Sequence, residues 1–263
     1  MPISSASNAH VSFLRSLERA SMRRKHGAYL IEGVRLTHEA VASGQRASVV
    51  LYDPEALART TDGARLLESL GNWADRAYEA TPRVVAAVAQ TESPSGVVAA
   101  LVRSQTPPLT TGPLGIVLDG LSDPGNAGTI LRTADAVGAS YVIGMPAGVD
   151  LFAPKVLRAG MGAHFRLPLY TQVTWDDLLD HVAADDLVAM DAGATCSIYD
   201  FPWREPVCLL VGNEAHGLSA EARVRVTSLV RIPMRSAVQS LNASVAASIT
   251  MYHVHGRNIP VGA

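Results

Sequence analysis

Polar side chains follow three apolar runs in the second half of the sequence, where they could bind a polar ligand. Asn126 and Arg132 follow "GIVLDG", Asn213 and Glu214 follow "VCLLVG", and Asn242 follows "VRIPM" with a serine on either side. Amides and carboxylates offer hydrogen bonds, and the planar guanidinium of arginine suits phosphate oxygens. Each segment alone is equally typical of a helix cap or a turn, but the three in this order predict a ligand site.

The runs that precede these clusters have the composition of parallel β-strands. They are apolar and are separated by helical or glycine-rich segments, which is typical of a parallel sheet covered on both faces. The predicted strands are "GIVLDG", "SYVIGM", "DLVAMD" and "VCLLVG", with a short further strand that ends at Pro233. Ligands of open parallel sheets bind beyond the carboxyl ends of the strands, which is where the three clusters lie.

Asn126 is predicted to cap a helix that begins at Ala127, because asparagine is a favoured N-cap residue. Asn126 and Arg132 would be near neighbours only in that arrangement, since six residues within one helix correspond to about 120° around its axis. In the second cluster, Gly212 would let another stretch of backbone or a flat ligand approach closely.

A C-terminal helix is predicted to begin at Ser240 or Asn242. Its free backbone amides, beside serine and asparagine side chains, could hold a polar ligand. A set of apolar side chains recurs along the helix at intervals that would pack against the rest of the domain. This stripe contains Leu241, Val245, Ile249 and either Tyr252 or His253.

The composition predicts two α/β domains. A chain of 263 residues, 48% of them apolar, can form two cores. The segment "VRSQTPPLTTGP", residues 102–113, has three prolines and indicates a linker, so we place the domains at 1–105 and 106–263. In the first domain, predicted strands alternate with predicted amphipathic helices. The strands are "AYLIEG", "ASVVLYD" and "SGVVAALV", and the helices are "VRLTHEAVAS" and "DGARLLESLGNWAD".

The sequence shows no sign of membrane insertion or of a disulfide framework. No apolar run is long enough to cross a bilayer, and "MPISSASNAH" lacks the order of a secretory signal, so a cytoplasmic protein is expected. The two cysteines lie outside any C-x-x-C spacing, which favours reduced thiols over a zinc site.

One segment is strongly basic although the net charge of the chain is only −2. The stretch "RSLERASMRRKHG" could form an edge that contacts phosphate groups, and a simple solvated face is the alternative. The residues predicted to form this basic edge are Arg19, Arg23, Arg24 and Lys25.

Three other kinds of chemistry fit the residues less well. The G-x-G-x-x-G spacing of a nucleotide-dependent oxidoreductase is not met by Gly120, Gly125 and Gly128. His216 could act as a base beside Glu214. His253 and His255 could form a metal pair, but a pair alone rarely makes a metal site.

The second half of the sequence resembles the SpoU/TrmH family of AdoMet-dependent RNA 2'-O-ribose methyltransferases, members of the SPOUT superfamily. The resemblance rests on "LSDPGNAGTILRTADAVGAS", "LFAPKVLRAGMGAHFRLPL", "LLVGNEAHGLS" and "IPMRSAVQSLNASVAAS". The first half resembles the accessory substrate-binding domain of that family, a small α/β fold similar to RNA-binding ribosomal proteins. Here the matching segments are "RRKHGAYLIEGVRLTHEAV" and "QTESPSGVVAAL".

The resemblance implies an α/β methyltransferase domain with a deep trefoil knot that binds S-adenosyl-L-methionine (AdoMet) in a bent shape and needs no metal. By motif position, the cofactor pocket would be lined by Val211, Gly212, Asn213, Ile232, Met234, Ser240 and Leu241. The catalytic face would contain Asn126, Arg132, Glu214 and Asn242. Arg132 would contact the phosphate beside the reacting ribose and assist the removal of the hydroxyl proton.

The same resemblance implies an RNA partner, most of all ribosomal RNA, with a tRNA enzyme or a catalytically silent RNA-binding member as alternatives. It also implies a homodimer that packs through the C-terminal helix. A second set of side chains on that helix lies off the first stripe and would contact the partner copy. That set contains Ala243, Ala247, Thr250 and Met251.

Overall fold

A computed structural model describes residues 2–103, 108–238 and 240–256 of the chain. These residues form two compact units. Unit 1 contains residues 2–103 together with 152–158, and unit 2 contains residues 108–151, 159–238 and 240–256. The sequence predicts only one domain boundary and therefore does not predict that residues 152–158 belong to unit 1. The predicted boundary at 105/106 lies outside the described residues.

Unit 1 is built on a four-stranded sheet in the order β1-β4-β2-β3. Its strands are β1 (Ala28–Glu32), β2 (Ala47–Tyr52), β3 (Ala77–Glu79) and β4 (Val97–Val102). Its helices are α1 (Ala9–Ser16), α2 (Ala20–His26), α3 (Val34–Ala42), α4 (Pro54–Leu57), α5 (Thr61–Trp73) and α6 (Pro82–Val88). Strand β4 runs antiparallel to both β1 and β2, and β3 runs parallel to β2. The three strands and two helices predicted for this region are confirmed.

Unit 2 is built on a seven-stranded sheet in the order β7-β6-β5-β10-β8-β11-β9, and every pairing in it is parallel. Its strands are β5 (Leu114–Leu118), β6 (Tyr141–Gly144), β7 (Leu169–Thr171), β8 (Leu187–Met190), β9 (Cys196–Ser197), β10 (Val207–Val211) and β11 (Ser228–Arg231). The helices of this half of the chain are α7 (Pro124–Val137), α8 (Pro154–Gly160), α9 (Trp175–Leu179), α10 (Ala220–Arg225) and α11 (Ala243–His255).

The centre of the sheet explains why the apolar runs of the second half are so uniform. Strand β10 lies between β5 and β8 and is buried along its whole length, as expected for a parallel strand covered on both faces. The four predicted strands of this half correspond to β5, β6, β8 and β10 and are confirmed. The short strand expected before Pro233 is β11, which ends at Arg231. The predicted α/β class, with a parallel sheet in the second half, is therefore confirmed.

The start of α7 differs from the prediction. Asp123, not Asn126, is its N-cap, and its Oδ1 accepts a hydrogen bond from the backbone amide of Asn126 at 2.8 Å. Pro124 occupies the first turn, where its lack of an N–H costs nothing. Asn126 consequently lies inside the helix, so its side chain is free to reach residues outside α7.

The C-terminal helix begins as predicted, but its buried face was assigned wrongly. Asn242 caps α11 by accepting from the amides of Ser244 and Val245, at 2.9 and 3.2 Å. The stripe expected to pack inside the domain is exposed instead: Leu241, Val245, Ile249 and Tyr252. The residues expected to face a partner copy include three that are fully buried, namely Ala247, Thr250 and Met251.

Close packing of α11 on α7 accounts for this reversal. The small side chains of the buried stripe let the two helices approach, and the hydroxyl groups of Thr133 and Ser248 form a hydrogen bond of 2.9 Å between them. A helix with two apolar stripes does not reveal from its period which stripe is covered. None of the described helices is long and apolar enough to cross a membrane.

Candidate functional site

A cavity of about 350 Å³ lies in unit 2 at the carboxyl ends of three adjacent strands, β10, β8 and β11. The chain segments that come after these strands form its walls together with the start of α11. All seven residues predicted to bind a cofactor line it: Val211, Gly212, Asn213, Ile232, Met234, Ser240 and Leu241. The cavity lies where the carboxyl-end rule for open parallel sheets predicts a ligand site, and the seven residues are those that the family resemblance names.

Other lining residues were missed in the sequence. Asp191 follows β8 just as Gly212 follows β10, so the carboxyl-end rule could have found it. Its carboxylate lies 3.3 Å from the guanidinium of Arg223, which also lines the cavity from α10. Nothing in the local sequence of Arg223 distinguishes it from a surface arginine of a short helix.

Asn213 shapes the loop that forms one wall of the cavity. Its backbone N–H and C=O bond to Gly217 at 2.8 and 2.9 Å and close a tight turn. Its side-chain oxygen accepts from the amides of Ala215 and His216, and its side-chain amide donates to the Gly120 carbonyl at 2.8 Å. The polar groups of Asn213 are therefore used within the protein, as in the alternative turn interpretation of this residue.

Gly212 is required by the protein's own chain. A Cβ atom placed there would lie 2.6 Å from the backbone carbon and oxygen of Gly217 and 2.8 Å from the amide nitrogen of Leu218. Real Cβ atoms essentially never approach backbone atoms so closely. Of the two reasons that the sequence offers for this glycine, the close approach of another backbone is the one observed.

Glu214 binds the loop between β5 and α7. Its Oε2 accepts from the amide and hydroxyl groups of Ser122 at 3.0 and 2.8 Å. Its Oε1 accepts from the Asp123 amide at 3.0 Å and from the Asn126 side-chain amide at 2.9 Å. Partial burial acts to raise the pKa of Glu214, but these hydrogen bonds outweigh it and lower the pKa to about 2. Glu214 is therefore ionised at neutral pH.

Asn126 joins Glu214 to Asn242. Asn126 donates to Glu214 through its Nδ2, and its Oδ1 accepts from the Asn242 Nδ2 at 2.9 Å. Asn242 in turn accepts from the Ser244 hydroxyl at 2.7 Å, besides capping α11. One chain of hydrogen bonds thus fixes the starts of α7 and α11 to the loop after β10. We call Asn126, Glu214 and Asn242 the polar triad.

Arg132 does not join the polar triad. It is exposed on α7, roughly 120° around the helix from Asn126 and about 9 Å further along its axis. In the part of the chain that the structure describes, its guanidinium has neither an ion pair nor a hydrogen bond. The structure therefore brings together three of the four predicted catalytic residues and leaves the fourth apart.

The histidines considered as alternatives occupy separate surroundings. His216 is exposed in the loop after β10. The ring of His253 contacts Tyr199 edge-on at 5.1 Å, whereas His255 lies 2.9 Å from the Glu205 carboxylate. Among the described residues, no group of three or more His, Cys, Asp or Glu side chains could hold a metal ion.

One residue of the predicted basic edge of unit 1, Arg23, is buried and does not face solvent. Arg23 is 7% exposed, and its guanidinium donates to the carbonyls of Leu17 and Glu18 at 2.8 and 2.6 Å, just beyond the end of α1. These carbonyls have no partner within the helix, so a buried arginine satisfies them. Arg23 is thus a structural residue and not a phosphate contact. Arg19, Arg24 and Lys25 are exposed.

Comparison with known proteins agrees with this geometry. Residues 113–252 match the SpoU rRNA Methylase family, and residues 8–99 match the MRM3-like substrate binding domain. The 23S rRNA (guanosine(2553)-2'-O)-methyltransferase RlmP of Bacillus subtilis is 30% identical over 97% of this chain and 99% of its own. The 23S rRNA (uridine(2479)-2'-O)-methyltransferase of Streptomyces viridochromogenes is 32% identical, over 90% of this chain and 85% of its own.

A solved structure extends the likeness to three dimensions. The SpoU methyltransferase AviRb from Streptomyces viridochromogenes, in complex with the cofactor AdoMet, superposes with a TM-score of 0.84 at 30% identity. The match covers 95% of this chain and 98% of that one. With a family match over more than half of its length and a cavity where its motifs predict one, this chain belongs to the SpoU rRNA methylase family.

Proposed function

We propose that this protein transfers a methyl group from AdoMet to a ribose 2'-hydroxyl of ribosomal RNA. The observation that carries the proposal is the cavity at the ends of β8, β10 and β11 with the polar triad on its rim. Glu214 lines the cavity, and Asn242 lies between Leu241 and Ala243, which both line it. Relatives that are named rRNA 2'-O-methyltransferases support the substrate.

The residues of the cavity fit AdoMet. A volume of about 350 Å³ lies within the usual range of small-molecule sites, which is roughly 300–1,000 Å³. Apolar side chains such as Ile232, Met234 and Leu241 suit the flat adenine ring. The ion pair of Asp191 and Arg223 presents both charges to the amino and carboxylate groups of AdoMet. When bound, AdoMet would supply an electrophilic methyl group whose transfer needs no Lewis acid, so the proposal includes no metal ion.

We assign the polar triad to positioning. The ribose oxygen must be aligned with the methyl group, and good alignment accounts for a large part of such a rate enhancement. Asn126 and Asn242 are joined to the cavity wall through Glu214, so they fix the chain on which a ribose would be seated. Glu214 already accepts four hydrogen bonds and has a pKa of about 2, so it is a poor proton acceptor and serves to hold Asn126 in place.

Arg132 is proposed as the catalytic residue that contacts the phosphate next to the reacting ribose and assists the loss of its proton. Its planar guanidinium can hold a phosphate with two hydrogen bonds. Because Arg132 is exposed and apart from the triad of its own chain, we propose that it completes the site of a second copy.

The surface beside Arg132 supports a homodimer. The exposed stripe of α11 presents three large apolar side chains, which monomeric proteins rarely leave together in solvent. They are Val245, Ile249 and Tyr252. Helix α11 packs on α7, which carries Arg132, so a copy seated on this stripe would lie near the arginine.

The trefoil knot stays a prediction. The proposed substrate would place the protein with the ribosomes, which for bacterial relatives means the cytoplasm.

Methyl transfer tests the proposed function directly. The purified chain is incubated with AdoMet labelled in its methyl group and with deproteinised ribosomal RNA or tRNA. The RNA is then digested and its nucleosides are separated. We expect label in a 2'-O-methylated nucleoside from ribosomal RNA. Binding of the RNA without transfer would support a silent RNA-binding member, and transfer to tRNA alone would change the substrate.

A further inference from the structure

A groove of about 780 Å³ lies in unit 1, and its lining residues are distinct from those of the basic edge. One wall is the exposed face of α3, where Arg35, His38 and Ala42 follow one another at helical spacing. The other wall is formed by the end of α4 and the first turns of α5, with Arg59 and Arg65. The α3 wall falls within "RRKHGAYLIEGVRLTHEAV", one of the segments that resemble the substrate-binding domain, whereas Arg59 and Arg65 lie outside every segment singled out in the sequence.

The charges of the groove favour an anionic ligand. Three arginines line it together with His38, against two carboxylates, those of Glu39 and Asp62. Arg65 and Asp62 are 3.8 Å apart with more than two thirds of each side chain exposed, so this pair holds Arg65 only weakly. Within the described ranges, Arg35 and Arg59 have no ion pair or side-chain hydrogen bond. Two guanidinium groups in the groove are thus available to a ligand.

The remaining surface of the groove suits more than a bare phosphate. Val34, Ala56 and Pro94 contribute apolar patches between the charges, and His38 adds an exposed planar ring. The amide of Val34, at the start of α3, donates to the Ser95 hydroxyl at 3.0 Å, so binding here relies on side chains rather than on that amide. Proteins that bind single-stranded nucleic acid combine positive grooves of this kind with surfaces for the bases.

We propose that this groove, lined by Arg35, Arg59 and Arg65, holds the sugar-phosphate backbone of the RNA substrate in a single-stranded segment. The proposal rests on the proposed function, because it names the part of unit 1 that contacts the RNA. Under this proposal the groove makes most of the phosphate contacts, and Arg19, Arg24 and Lys25 of the basic edge make fewer. Arg23 makes none, because it hydrogen-bonds to backbone carbonyls just after α1.

Two double variants of the full chain test the groove. Arg35→Ala/Arg59→Ala removes its two unpaired arginines. Arg76→Ala/Arg83→Ala removes two exposed arginines of unit 1 that lie outside the groove and serves as the matched control. Binding of a fluorescent single-stranded RNA 20-mer and of deproteinised ribosomal RNA is measured between low and moderate salt. AdoMet affinity is measured as a check on unit 2.

We expect the groove variant to bind RNA roughly tenfold more weakly and to lose about 1.4 from the slope of log affinity against log salt, since each phosphate contact on a single strand contributes about 0.7. KM for ribosomal RNA should rise while kcat and AdoMet affinity stay near those of the unchanged protein. Equal affinities and slopes for the groove variant and the control would overturn the proposal.

The result also separates this proposal from the proposed function. A chain that binds RNA but transfers no methyl group contradicts the proposed function, while the comparison of the two variants still decides the groove. A chain that binds no RNA contradicts both.

Discussion

The polar side chains beside the unit 2 pocket are hydrogen-bonded to one another, whereas most arginines of the unit 1 groove have no close side-chain partner among the described residues. Around the pocket, Asn126, Glu214 and Asn242 form a continuous set of hydrogen bonds of 2.8 to 3.0 Å with one another and with the loop before α7. In the groove, Arg35 and Arg59 are exposed, and among the residues that the structure describes they have no side-chain partner. The first arrangement is fixed before any ligand arrives, and the second is adaptable.

This difference matches two kinds of ligand. Methyl transfer requires two atoms to meet in line, and groups that are held rigidly by their own hydrogen bonds provide that geometry. A polymer backbone of variable conformation is held better by long flexible cations that act mainly through charge. We infer that rigidity in unit 2 serves the reaction and that mobility of the arginine side chains in unit 1 serves capture of the RNA.

Arg132 is the strongest test of this division, because it belongs to unit 2 but resembles the groove arginines in having no partner among the described residues. Arg132→Lys keeps the charge and loses the planar fork. We expect AdoMet affinity to remain near normal and kcat to fall by roughly two to four orders of magnitude, the range of positioned acid-base groups. Calorimetry and single-turnover methylation measure the two quantities.

Mixing of variants tests whether Arg132 acts on a second copy. Arg132→Ala and Asn242→Ala should each be inactive alone. In an equal mixture, about a quarter of the sites would combine an intact triad with an intact arginine from the partner, so about a quarter of the activity should return. No recovery after subunit exchange, shown by light scattering to have taken place in dimers, would place Arg132 in the site of its own chain or outside it.

Gly212 provides the next largest effect and tests the rigidity of the pocket. Gly212→Ala puts a methyl group against the backbone of Gly217, so the loop must shift. We expect a loss of about 1–3 kcal/mol in the free energy of unfolding, together with weaker AdoMet binding. Gly71→Ala is the control, because a Cβ atom at this exposed position of α5 meets no atom within 4 Å.

The control should gain about 0.5–1 kcal/mol, as alanine is the better helix former. Chemical denaturation measures the free energy of unfolding for both variants. If Gly212→Ala folds as stably as the unchanged protein and loses only AdoMet, then it is the ligand, and not the chain, that requires this glycine.

The sequence predicted the pocket more completely than it predicted the surfaces. Apolar runs marked the central strands, and the carboxyl-end rule placed the residues that follow them at one edge of the sheet. The family resemblance then named seven cofactor residues, and all seven line one cavity there. Periodicity could not decide which stripe of α11 is covered, because both stripes are apolar and the choice depends on the small side chains against α7. Charge alone likewise could not distinguish buried Arg23 from exposed Arg24.

Glu214 gives the smallest expected effect and tests whether the polar triad is held by charge. Its folded pKa of about 2 lies below the ordinary value of 4.5, so its ionised form stabilises the folded state. This contribution is fully present above pH 4.5 and is lost as the pH falls toward 2. Because much of the side chain is exposed to solvent, screening limits the effect to less than about 1 kcal/mol.

Glu214→Gln removes that titration with little change in shape. We expect the variant to show a flatter dependence of unfolding free energy on pH between about 5 and 2.5, with methylation at neutral pH reduced because Asn126 loses a charged acceptor. Denaturation at a series of pH values measures the first quantity. An identical pH dependence in both proteins, with full methylation by the variant, would mean that the carboxylate charge is not what fixes Asn126. The pocket would then owe its order to the cap of α11 at Asn242.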